Sequence, residues 1–428
     1  MKKILIAGCG HGGLVAAARL AEAGYDVTVI EKQKKEDLGH DWEDRFSFPD
    51  FCAAACINRS DFPEGSYRDR GDCVFISPAK RKRIEISFPS GKRQYVMWRK
   101  PLIGLLLDKA ENAGAKFMFE TEVISPLCEN TAVTGLATSD GEMRADLVID
   151  SAGVFSPVRM NLPEQCGIEK QPKNGDLFYA WRAYFDKTDD ANPEYPFEVS
   201  LYHEGERGLS WFCTNPGSCD ILIGRVDKFD DAKLSELING YRTEHSWCGE
   251  KILHGGQRAV IPVRAPLSLM VSDGYAAVGD AAFMTTPMNG MGIDLSVKAG
   301  RLLAETVIAA GEAPMTAEVL WAYNRDYHRK YGAETARNAG LKDALLAMPS
   351  EGVDFLFESG VIAASDLAGG GRNTDFKSLL NKLRNGMKNP KYFFAVLKGL
   401  IKGGAVSRKL ANAPEKYEHE KIKQWAGI

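Results

Sequence analysis

The sequence predicts an α/β fold with a second, sheet-rich region and a helical C-terminal extension. The first observation is a strand–turn–helix–strand pattern in residues 2–32, in which apolar runs of strand length flank an alanine- and leucine-rich helix. The second is a change of pattern between residues 170 and 262, where short segments rich in aromatic residues are typical of strands. The third is the stretch after Leu346, which is helical in pattern and carries nine Lys or Arg and no acidic residue between Phe376 and Ala413.

The turn after the first strand has the spacing of a dinucleotide-binding fingerprint. Strand Lys3–Ala7 leads into Gly8, Gly10 and Gly13, spaced G-x-G-x-x-G, and a helix follows that ends at Gly24. The first glycine allows a sharp turn, the second lets a pyrophosphate approach the backbone, and the third lets helix and strand pack closely. The free N–H groups at the helix N-terminus can then hold phosphates. These residues predict a Rossmann-like domain.

An acidic residue follows the second strand at the expected distance. Strand Asp26–Ile30 ends in Glu31, about 20 residues after the glycine turn, with Lys32 beside it. A carboxylate at this position accepts hydrogen bonds from ribose hydroxyls. A glycine-rich turn without a ligand is the alternative. Strand, helix, second strand and acid are all in register, which favours the dinucleotide site.

Strand and helix patterns continue along the chain. Short apolar or alternating runs predict strands over Cys73–Ile76, Arg83–Phe88, Gln94–Met97, Lys116–Phe119, Glu122–Ile124, Ala132–Thr138, Ala145–Ile149 and Gly274–Val278. Periodic apolar faces predict helices from Arg99 to Gly114, over Lys233–Glu244, from Ile293 to Ala309 and from Ala317 to about Leu346. Glycine, proline and serine predict turns at Pro89–Gly91, Ser139–Gly141 and Gly369–Gly371.

Two further motifs lie far along the chain. One is GVFSPVR at residues 153–159, and the other starts with Gly279 and Asp280 and ends in a turn, PMNGMG, at residues 287–292. A carboxylate at Asp280 can accept hydrogen bonds from hydroxyl groups. The helix that follows can point its N-terminal N–H groups at a ring edge where negative charge gathers.

In this order and at these distances, the three motifs resemble the glutathione-reductase-type flavoproteins, which include aromatic-ring hydroxylases, flavin halogenases and geranylgeranyl reductases. The resemblance covers roughly residues 1–345. It implies FAD as the cofactor, with the carboxylate of Asp280 on the ribityl chain. The other residues implied in FAD binding are Gly153, Gly279, Pro287, Gly290, Met291 and Gly292, besides the fingerprint residues Gly8, Gly10, Gly13, Glu31 and Lys32.

The resemblance also places two groups of side chains near the cofactor. Arg99 stands where the family has an arginine near the ribose and phosphates, the alternative being a surface salt bridge. The loop at His40, Asp41 and Trp42 follows the second strand, and in the resembled branch this loop returns to the flavin ring; a solvated loop is the alternative. His40 is then a candidate catalytic proton donor, because an unperturbed imidazole titrates near the working pH.

One departure from the family pattern concerns the electron donor. The family's middle motif usually begins Asp-Gly, and here it is Ala152-Gly153, while Ser156 and Arg159 match. In the family the aspartate is linked to contact with both FAD and a nicotinamide. Its loss puts direct use of NAD(P)H in doubt. We therefore expect an external electron donor that is either NAD(P)H or a redox protein.

The later strands favour the geranylgeranyl reductase branch. GQRAVIPVRAP at residues 256–266 resembles the Gly-x-Ile-Pro strand that precedes Gly-Asp in that branch. The segment around Trp211 partly resembles its Tyr-x-Trp-x-Phe-Pro signature, with Leu209 in place of the tyrosine and Cys213-Thr214 in place of Phe-Pro. Trp211 is thus either a catalytic residue that contacts substrate or a core aromatic of a sheet. The halogenase signature Trp-Ile-Pro is not found.

The resemblance implies three regions. We expect a discontinuous FAD-binding domain from residues 1–73, 99–155 and 262–345, a substrate domain from 74–98 and 156–261, and a C-terminal helical region from 346–428.

Three functions remain open from the sequence. The first is an FAD-dependent oxidoreductase that reduces carbon–carbon double bonds of an isoprenoid or similar apolar, lipid-like substrate. The second is a single-component flavin monooxygenase acting on an aromatic or other apolar ring. The third is a flavin-binding protein that tethers to membranes or partners through its basic tail without turnover.

Charge and cysteine content limit the kinds of binding partner that the sequence predicts. A net charge of −3 over 428 residues, with the basic stretch confined to the tail, gives no case for nucleic acid. The nine cysteines form no C-x-x-C motif, so no metal site is expected. We expect the cysteines to be free thiols in a cytoplasmic protein. The tail is first interpreted as a packed helical extension with solvated lysines. Because lysines are interleaved with aromatics, the alternative is a tail that makes a peripheral contact with an anionic membrane or covers the substrate entrance.

Overall fold

The computed structural model of the protein describes residues 1–88, 93–367 and 376–428. The strands in these ranges are β1 Lys3–Ala7, β2 Asp26–Ile30, β3 Glu43–Phe46, β4 Tyr67–Asp69, β5 Cys73–Ile76, β6 Arg83–Ile86, β7 Tyr95–Trp98, β8 Lys116–Met118, β9 Val123–Glu129, β10 Ala132–Thr138, β11 Gly141–Arg144, β12 Leu147–Asp150, β13 Leu177–Lys187, β14 Phe197–Leu201, β15 Leu209–Asn215, β16 Ser218–Arg225, β17 Cys248–Pro262, β18 Val271–Ser272 and β19 Tyr275–Ala277.

Helices cover the sheets and form the C-terminal end of the chain. In the described ranges they are α1 His11–Glu22, α2 Phe48–Ala55, α3 Arg99–Asn112, α4 Pro157–Met160, α5 Asp231–Glu244, α6 Ile293–Ala310, α7 Ala317–Tyr327, α8 Ala333–Leu346, α9 Ser350–Glu358, α10 Ala364–Leu367, α11 Phe376–Gly386, α12 Pro390–Ala411 and α13 His419–Ala426. None of these is long and apolar enough to cross a bilayer.

A six-stranded sheet carries the glycine fingerprint. Its order is β18-β19-β12-β1-β2-β8, and β1 pairs in parallel with both β2 and β12. Ile4, Leu5 and Ile6 of β1 are fully buried, as expected of a central parallel strand covered on both faces. Because the carboxyl ends of parallel strands meet at one edge, the turns after β1, β2 and β12 lie side by side there.

A seven-stranded sheet forms the second layer. Its order is β17-β13-β16-β15-β14-β5-β6, and its neighbours are antiparallel except for β14 with β5. A small antiparallel sheet has the order β3-β7-β4. In sequence, β3 and β4 lie between β2 and β5, and β7 lies between β6 and β8. The strands of the six-stranded sheet interleave along the chain with those of the seven-stranded sheet. The domain boundaries given above remain a prediction.

Helices α1 and α6 approach each other through glycines. A Cβ atom on Gly12 would lie 2.6 Å from the backbone oxygen of Ser296, and one on Gly300 would collide with the backbone oxygen of Gly12. Only glycine allows this separation, so these residues bring the first turn of α6 next to the fingerprint helix.

The C-terminal helices are attached by a similar contact. A Cβ atom on Gly340 of α8 would lie 2.6 Å from the backbone nitrogen of Gly403, and one on Gly399 would lie 2.7 Å from the Cβ of Ala344. Phe393 and Val396 are buried on the same face of α12. One side of α12 therefore packs on the rest of the protein.

The strand and helix predictions are largely confirmed, with differences at particular places. Strands β3 and β4 and helix α2 have no counterpart among the predictions, since their sequences lack a clear period. The helix predicted from Ala317 to Leu346 is interrupted by a π-helical turn at His328–Gly332. The turns predicted at Pro89–Gly91 and Gly369–Gly371 lie outside the described residues.

Candidate active site

The fingerprint glycines pack against the turn that follows β12. Gly8 has a φ of 87°, and a Cβ atom there would lie 2.8 Å from the backbone oxygen of Ser151. A Cβ on Gly10 would collide with the Ser151 hydroxyl, and one on Gly13 would lie 2.7 Å from the Ser151 Cβ and 3.1 Å from Ile6. Gly10 is thus required by protein packing, which the sequence argument did not foresee. The helix–strand contact expected at Gly13 is confirmed.

Glu31 faces the same turn. Its carboxylate accepts hydrogen bonds from the backbone N–H of Cys9, at 2.9 Å, and of Gln33, at 3.0 Å. The carboxylate is thereby held beside the glycine turn, half-buried. Lys32 is exposed, and its part in cofactor binding stays a prediction.

Asp280 lies at the start of the third motif, in a short 3₁₀ turn. Gly279 before it has a φ of 64°, a left-handed conformation that favours glycine. No residue that the structure describes donates a hydrogen bond to the half-buried Asp280 carboxylate. Burial raises the pKa of Asp280, against the effects of nearby Arg99 and His11. A buried acceptor without a donor suits the hydroxyl groups of a ribityl chain.

Arg99 makes a half-buried ion pair beside this carboxylate. Its Nε and Nη2 donate to both oxygens of Asp44 over 2.7–2.9 Å, and His11 Nε2 lies 3.5 Å from Asp44 Oδ2. Although burial alone would raise it, Arg99 and His11 hold the pKa of Asp44 well below its usual range. Asp44 was missed in the sequence, where it lies among other charged residues with no pattern of its own.

His40 stacks on Trp42 in the loop before β3. The two ring centroids are 4.1 Å apart, and His40 Nδ1 lies 3.3 Å from Nη1 of Arg99. Burial, together with Arg99, lowers the pKa of His40 to about 4. The imidazole is therefore neutral at pH 7, and the expectation that it titrates near the working pH is wrong. A catalytic role for His40 stays a prediction, now for a neutral ring.

The turn at residues 287–292 leads directly into α6. Gly290 has a φ of 69°, and a Cβ atom there would lie 2.8 Å from Ile261 Cγ2 of β17. The backbone N–H of Thr286 bonds the oxygen of Met291 at 2.8 Å, which closes the turn. Gly292 is the N-cap of α6, so the unpaired N–H groups of its first turn start here. No described contact tests the role of Pro287.

Residues of the middle motif lie next to the segment that contains Gly279 and Asp280. Arg159, fully buried, donates to the backbone oxygens of Ala281 and Val154 and, at 3.0 Å, to that of Lys170. Ser156 caps the short helix α4 and donates to Asp150 at 2.6 Å. Arg159 thus holds the backbone next to Asp280, and Ser156 fixes the start of the helix that carries Arg159. Gly153, with a φ of 85°, provides the turn between β12 and α4.

A cavity of about 490 Å³ lies between this turn and the seven-stranded sheet. Its size is within the range of small-molecule sites. One wall is the turn at residues 286–293, and the opposite wall carries mostly apolar side chains, among them Phe178, Phe197, Val199, Leu209 and Trp211. The cavity thus joins the expected flavin edge to an apolar surface.

Trp211 lines this cavity at the end of a buried polar network. Its Nε1 donates to Asp220 at 3.3 Å, and the guanidinium of Arg182 lies 5.1 Å from its ring centroid. Arg182 donates to both oxygens of Asp220 at 2.8 Å, and both residues are buried. The network holds the indole in one orientation. Whether Trp211 contacts substrate stays a prediction.

The residues at this edge of the sheet fit a flavin dinucleotide. Helix α1 offers its N-terminal N–H groups to phosphates, Glu31 stands at the expected ribose position, and Asp280 is an acceptor without a donor among the described residues. The turn before α6 also lines the cavity.

Comparisons with known proteins agree with this geometry. A family model described as "FAD binding domain" matches residues 57–338, and one described as "NAD(P)-binding Rossmann-like domain" matches residues 6–45. Digeranylgeranylglycerophospholipid reductase of Methanothrix thermoacetophila is 26% identical over 371 residues, which is 83% of this chain and 90% of the relative. The predicted fold class is confirmed.

Two solved structures have a similar fold. A geranylgeranyl bacteriochlorophyll reductase-like protein of Thermoplasma acidophilum gives a TM-score of 0.74 at 18% identity and covers 93% of this chain and 99% of its own. The myxobacterial chondrochloren halogenase gives a TM-score of 0.66 at 16% identity and covers 96% of each chain. At these identities the likeness shows the fold alone.

Proposed function

Because the chain belongs to the family of the FAD binding domain, it binds FAD and is an FAD-dependent oxidoreductase, and we propose that it reduces carbon–carbon double bonds of an isoprenoid lipid. The observation that carries the proposal is the apolar cavity against the turn at residues 286–293. The name of the Methanothrix relative, a digeranylgeranylglycerophospholipid reductase, supports the same substrate class.

The chain's own residues bind, orient and exclude water. Phe178, Phe197 and Leu209 give an isoprenoid chain an apolar surface and keep water from the reacting bond. Bound FAD supplies the two electrons of the reduction. Arg182 and Asp220 hold Trp211 so that its ring forms a fixed part of the wall.

Arg99 and Asp44 act on the cofactor side. Their ion pair fixes the guanidinium near Asp280, which supports the proposal that Arg99 would hold the ribose or phosphate groups of bound FAD. The neutral His40 bonds the same guanidinium and stacks on Trp42, which itself lines the cavity. His40 thus contacts both Arg99 and the cavity-lining Trp42, which supports the proposal that it takes part in proton movement.

An anaerobic experiment tests the reaction. The purified holoenzyme is reduced with dithionite without oxygen and mixed with polyprenyl lipids or with small aromatic compounds, and flavin absorbance is followed. We expect reoxidation by the polyprenyl lipids and a saturated product. Reoxidation that needs oxygen and an aromatic compound would instead indicate the monooxygenase, and no reoxidation by any compound would indicate a protein without turnover.

We further propose that α11 and α12 rest on an anionic membrane surface. In the parts of these helices whose side chains the structure describes, and in the turn between them, six large apolar side chains are exposed, from 36% for Leu397 to 61% for Ile401. The six are Leu383, Met387, Phe394, Leu397, Leu400 and Ile401. The exposed lysines Lys388, Lys391 and Lys398 lie between them. An apolar stripe flanked by lysines is typical of helices that lie in the membrane interface.

The electron donor stays open between NAD(P)H and a redox protein. Stopped-flow mixing of oxidised holoenzyme with NADH or NADPH, without oxygen, separates the two. Direct bleaching of the flavin would support a nicotinamide donor.

A further inference from the structure

Two cavity-lining arginines form no ion pair with any residue that the structure describes. Arg45 lies on β3, and Arg70 directly follows β4, so the two residues stand on the strands that flank β7 in the small sheet. Arg70 is only 8% exposed, and its Nη2 makes no hydrogen bond; the same is true of the buried Nε of Arg45. Among the described residues, no carboxylate lies within ion-pairing distance of either guanidinium.

The contacts that these arginines do make leave their charge uncompensated. Arg70 Nη1 donates to the sulfur of Cys213 at 3.3 Å, and its guanidinium lies 3.4 Å from the ring centroid of Phe197. The guanidinium of Arg45 lies 5.3 Å from the ring of Phe88. These are neutral partners, so each side chain keeps a full positive charge beside an apolar cavity.

The acidic groups around the cavity are already engaged. Of the acidic residues that line the cavity, Glu43 accepts from Arg68 at 2.7 Å, Asp44 from Arg99 at 2.7 Å, and Asp366 from Lys382 at 2.5 Å. Asp294, outside the lining, accepts from the backbone N–H of Ser47 at 2.9 Å, and its charge acts to raise the pKa of Arg45 without forming an ion pair with it. Glu334, which also lines the cavity, has a partner as well. Among the described residues, none of these carboxylates forms an ion pair with either arginine.

This arrangement is unfavourable in the free protein. Burial, and then the charge of Arg70, lowers the pKa of Arg45 to about 10. Two like charges taken out of water without partners cost stability unless a ligand compensates them. The planar guanidinium fork matches the oxygen geometry of carboxylate and phosphate.

We propose that Arg45 and Arg70 bind an anionic end group of the substrate, a phosphate or a carboxylate, while the apolar wall of the same cavity holds its chain. The inference rests on the proposed function, since it assigns specificity within the same site. It makes the substrate a charged amphiphile, and it excludes a neutral hydrocarbon or alcohol as the preferred ligand. The two arginines are then specificity-determining residues.

Binding to oxidised holoenzyme tests the preference without turnover. Flavin absorbance and tryptophan fluorescence are titrated with farnesyl phosphate, farnesoic acid and farnesol, and in parallel with benzyl phosphate, benzoate and benzyl alcohol. We expect each anion to bind about tenfold or more tightly than the alcohol of its series, as hydrogen bonds to charged groups do. Equal affinities of anion and alcohol, or no binding of any anion, would overturn the inference.

The two series separate the inference from the proposed function. Tight binding of the farnesyl series supports both. Binding of the benzyl series alone, with the anions preferred, would retain the role of the arginines and contradict the isoprenoid substrate. A preference for phosphate over carboxylate would distinguish the two sources of charge.

Variants connect the preference to the two side chains. Arg45→Gln with Arg70→Gln should reduce the anion preference to about twofold or less while the affinity for the alcohol changes little; Arg70→Lys should retain part of it. Arg19→Gln, on the surface and paired with Glu22, is the matched control.

Arg45→Gln alone should raise or leave unchanged the Tm of the ligand-free holoenzyme, because it removes an uncompensated charge, whereas loss of a structural arginine would lower it. Retention of the full preference in the double variant would overturn the inference.

Discussion

Arg99 binds Asp44 through three nitrogen–oxygen contacts of 2.7–2.9 Å, although the two residues lie 55 positions apart in the sequence. The pair stands beside the carboxylate of Asp280, which has no hydrogen-bond donor among the described residues. Asp44 thus balances and orients the arginine, while the carboxylate of Asp280 has no described donor, which supports the proposal that it accepts hydrogen bonds from the cofactor.

Asp44→Asn should destabilise the protein by about 3 kcal/mol near neutral pH, because it leaves the half-buried Arg99 without its partner. Since the pKa of Asp44 is lowered on folding, its contribution is present above the unfolded pKa of about 3.9 and is lost as pH falls toward the folded value. Urea unfolding of both proteins at pH 7, 5 and 3 checks this. A difference that grows toward pH 3 would contradict it.

Asp280→Ala should weaken FAD retention more than Glu31→Ala. Removing Asp280 leaves ribityl hydroxyls unpaired in a buried setting, at a cost of about 1–3 kcal/mol, whereas Glu31 also bonds the backbone N–H of Cys9 and Gln33 and lies nearer solvent. The FAD content of purified protein and the Kd of added FAD measure the difference. Equal or reversed losses would argue against the assignment of Asp280 to the ribityl chain.

His40→Gln should leave the pH profile of turnover unchanged between about pH 6 and 8, because the folded pKa of His40 is about 4. A change in rate without a change in profile would indicate that a neutral imidazole is needed. Flavin reduction and substrate reduction are measured separately, so that an effect on the cofactor through Arg99 is recognised. A profile that loses a step near pH 6.5 in the variant would contradict the lowered pKa.

Phe394→Ser with Ile401→Ser should release the protein from anionic vesicles. Both side chains are more than half exposed on the free face of α12, so their removal should not disturb the contact with α8. Vesicle flotation at low salt is the measurement, with truncation after Gly371 as the stronger variant and neutral vesicles as the comparison. Ile124→Ser, at a residue 55% exposed and far from α12 in sequence, is the matched control. Wild-type protein that stays in solution with anionic vesicles would remove the membrane proposal.

The sequence by itself determined the elements whose signals are local. Gly8, Gly10 and Gly13 could be recognised because a sharp turn and a close helix–strand contact need glycine at fixed spacing, and Glu31 because it ends the next strand. Asp280 could be recognised from the sequence for a similar reason, since it lies between a strand and a glycine-rich turn. These features depend on neighbours within a few dozen residues, and periodicity and turn chemistry report such neighbours.

Only the tertiary structure decided which charges meet. Arg45 and Arg70 look like ordinary surface residues in the sequence, and the lack of an ion pair with any described carboxylate follows from the way β3 and β4 flank β7. The pKa of His40 likewise depends on burial and on Arg99, which is 59 positions away. Burial and long-range pairing change the free energy of a charged group by more than its sequence neighbours do, and a pattern of residues carries no record of them.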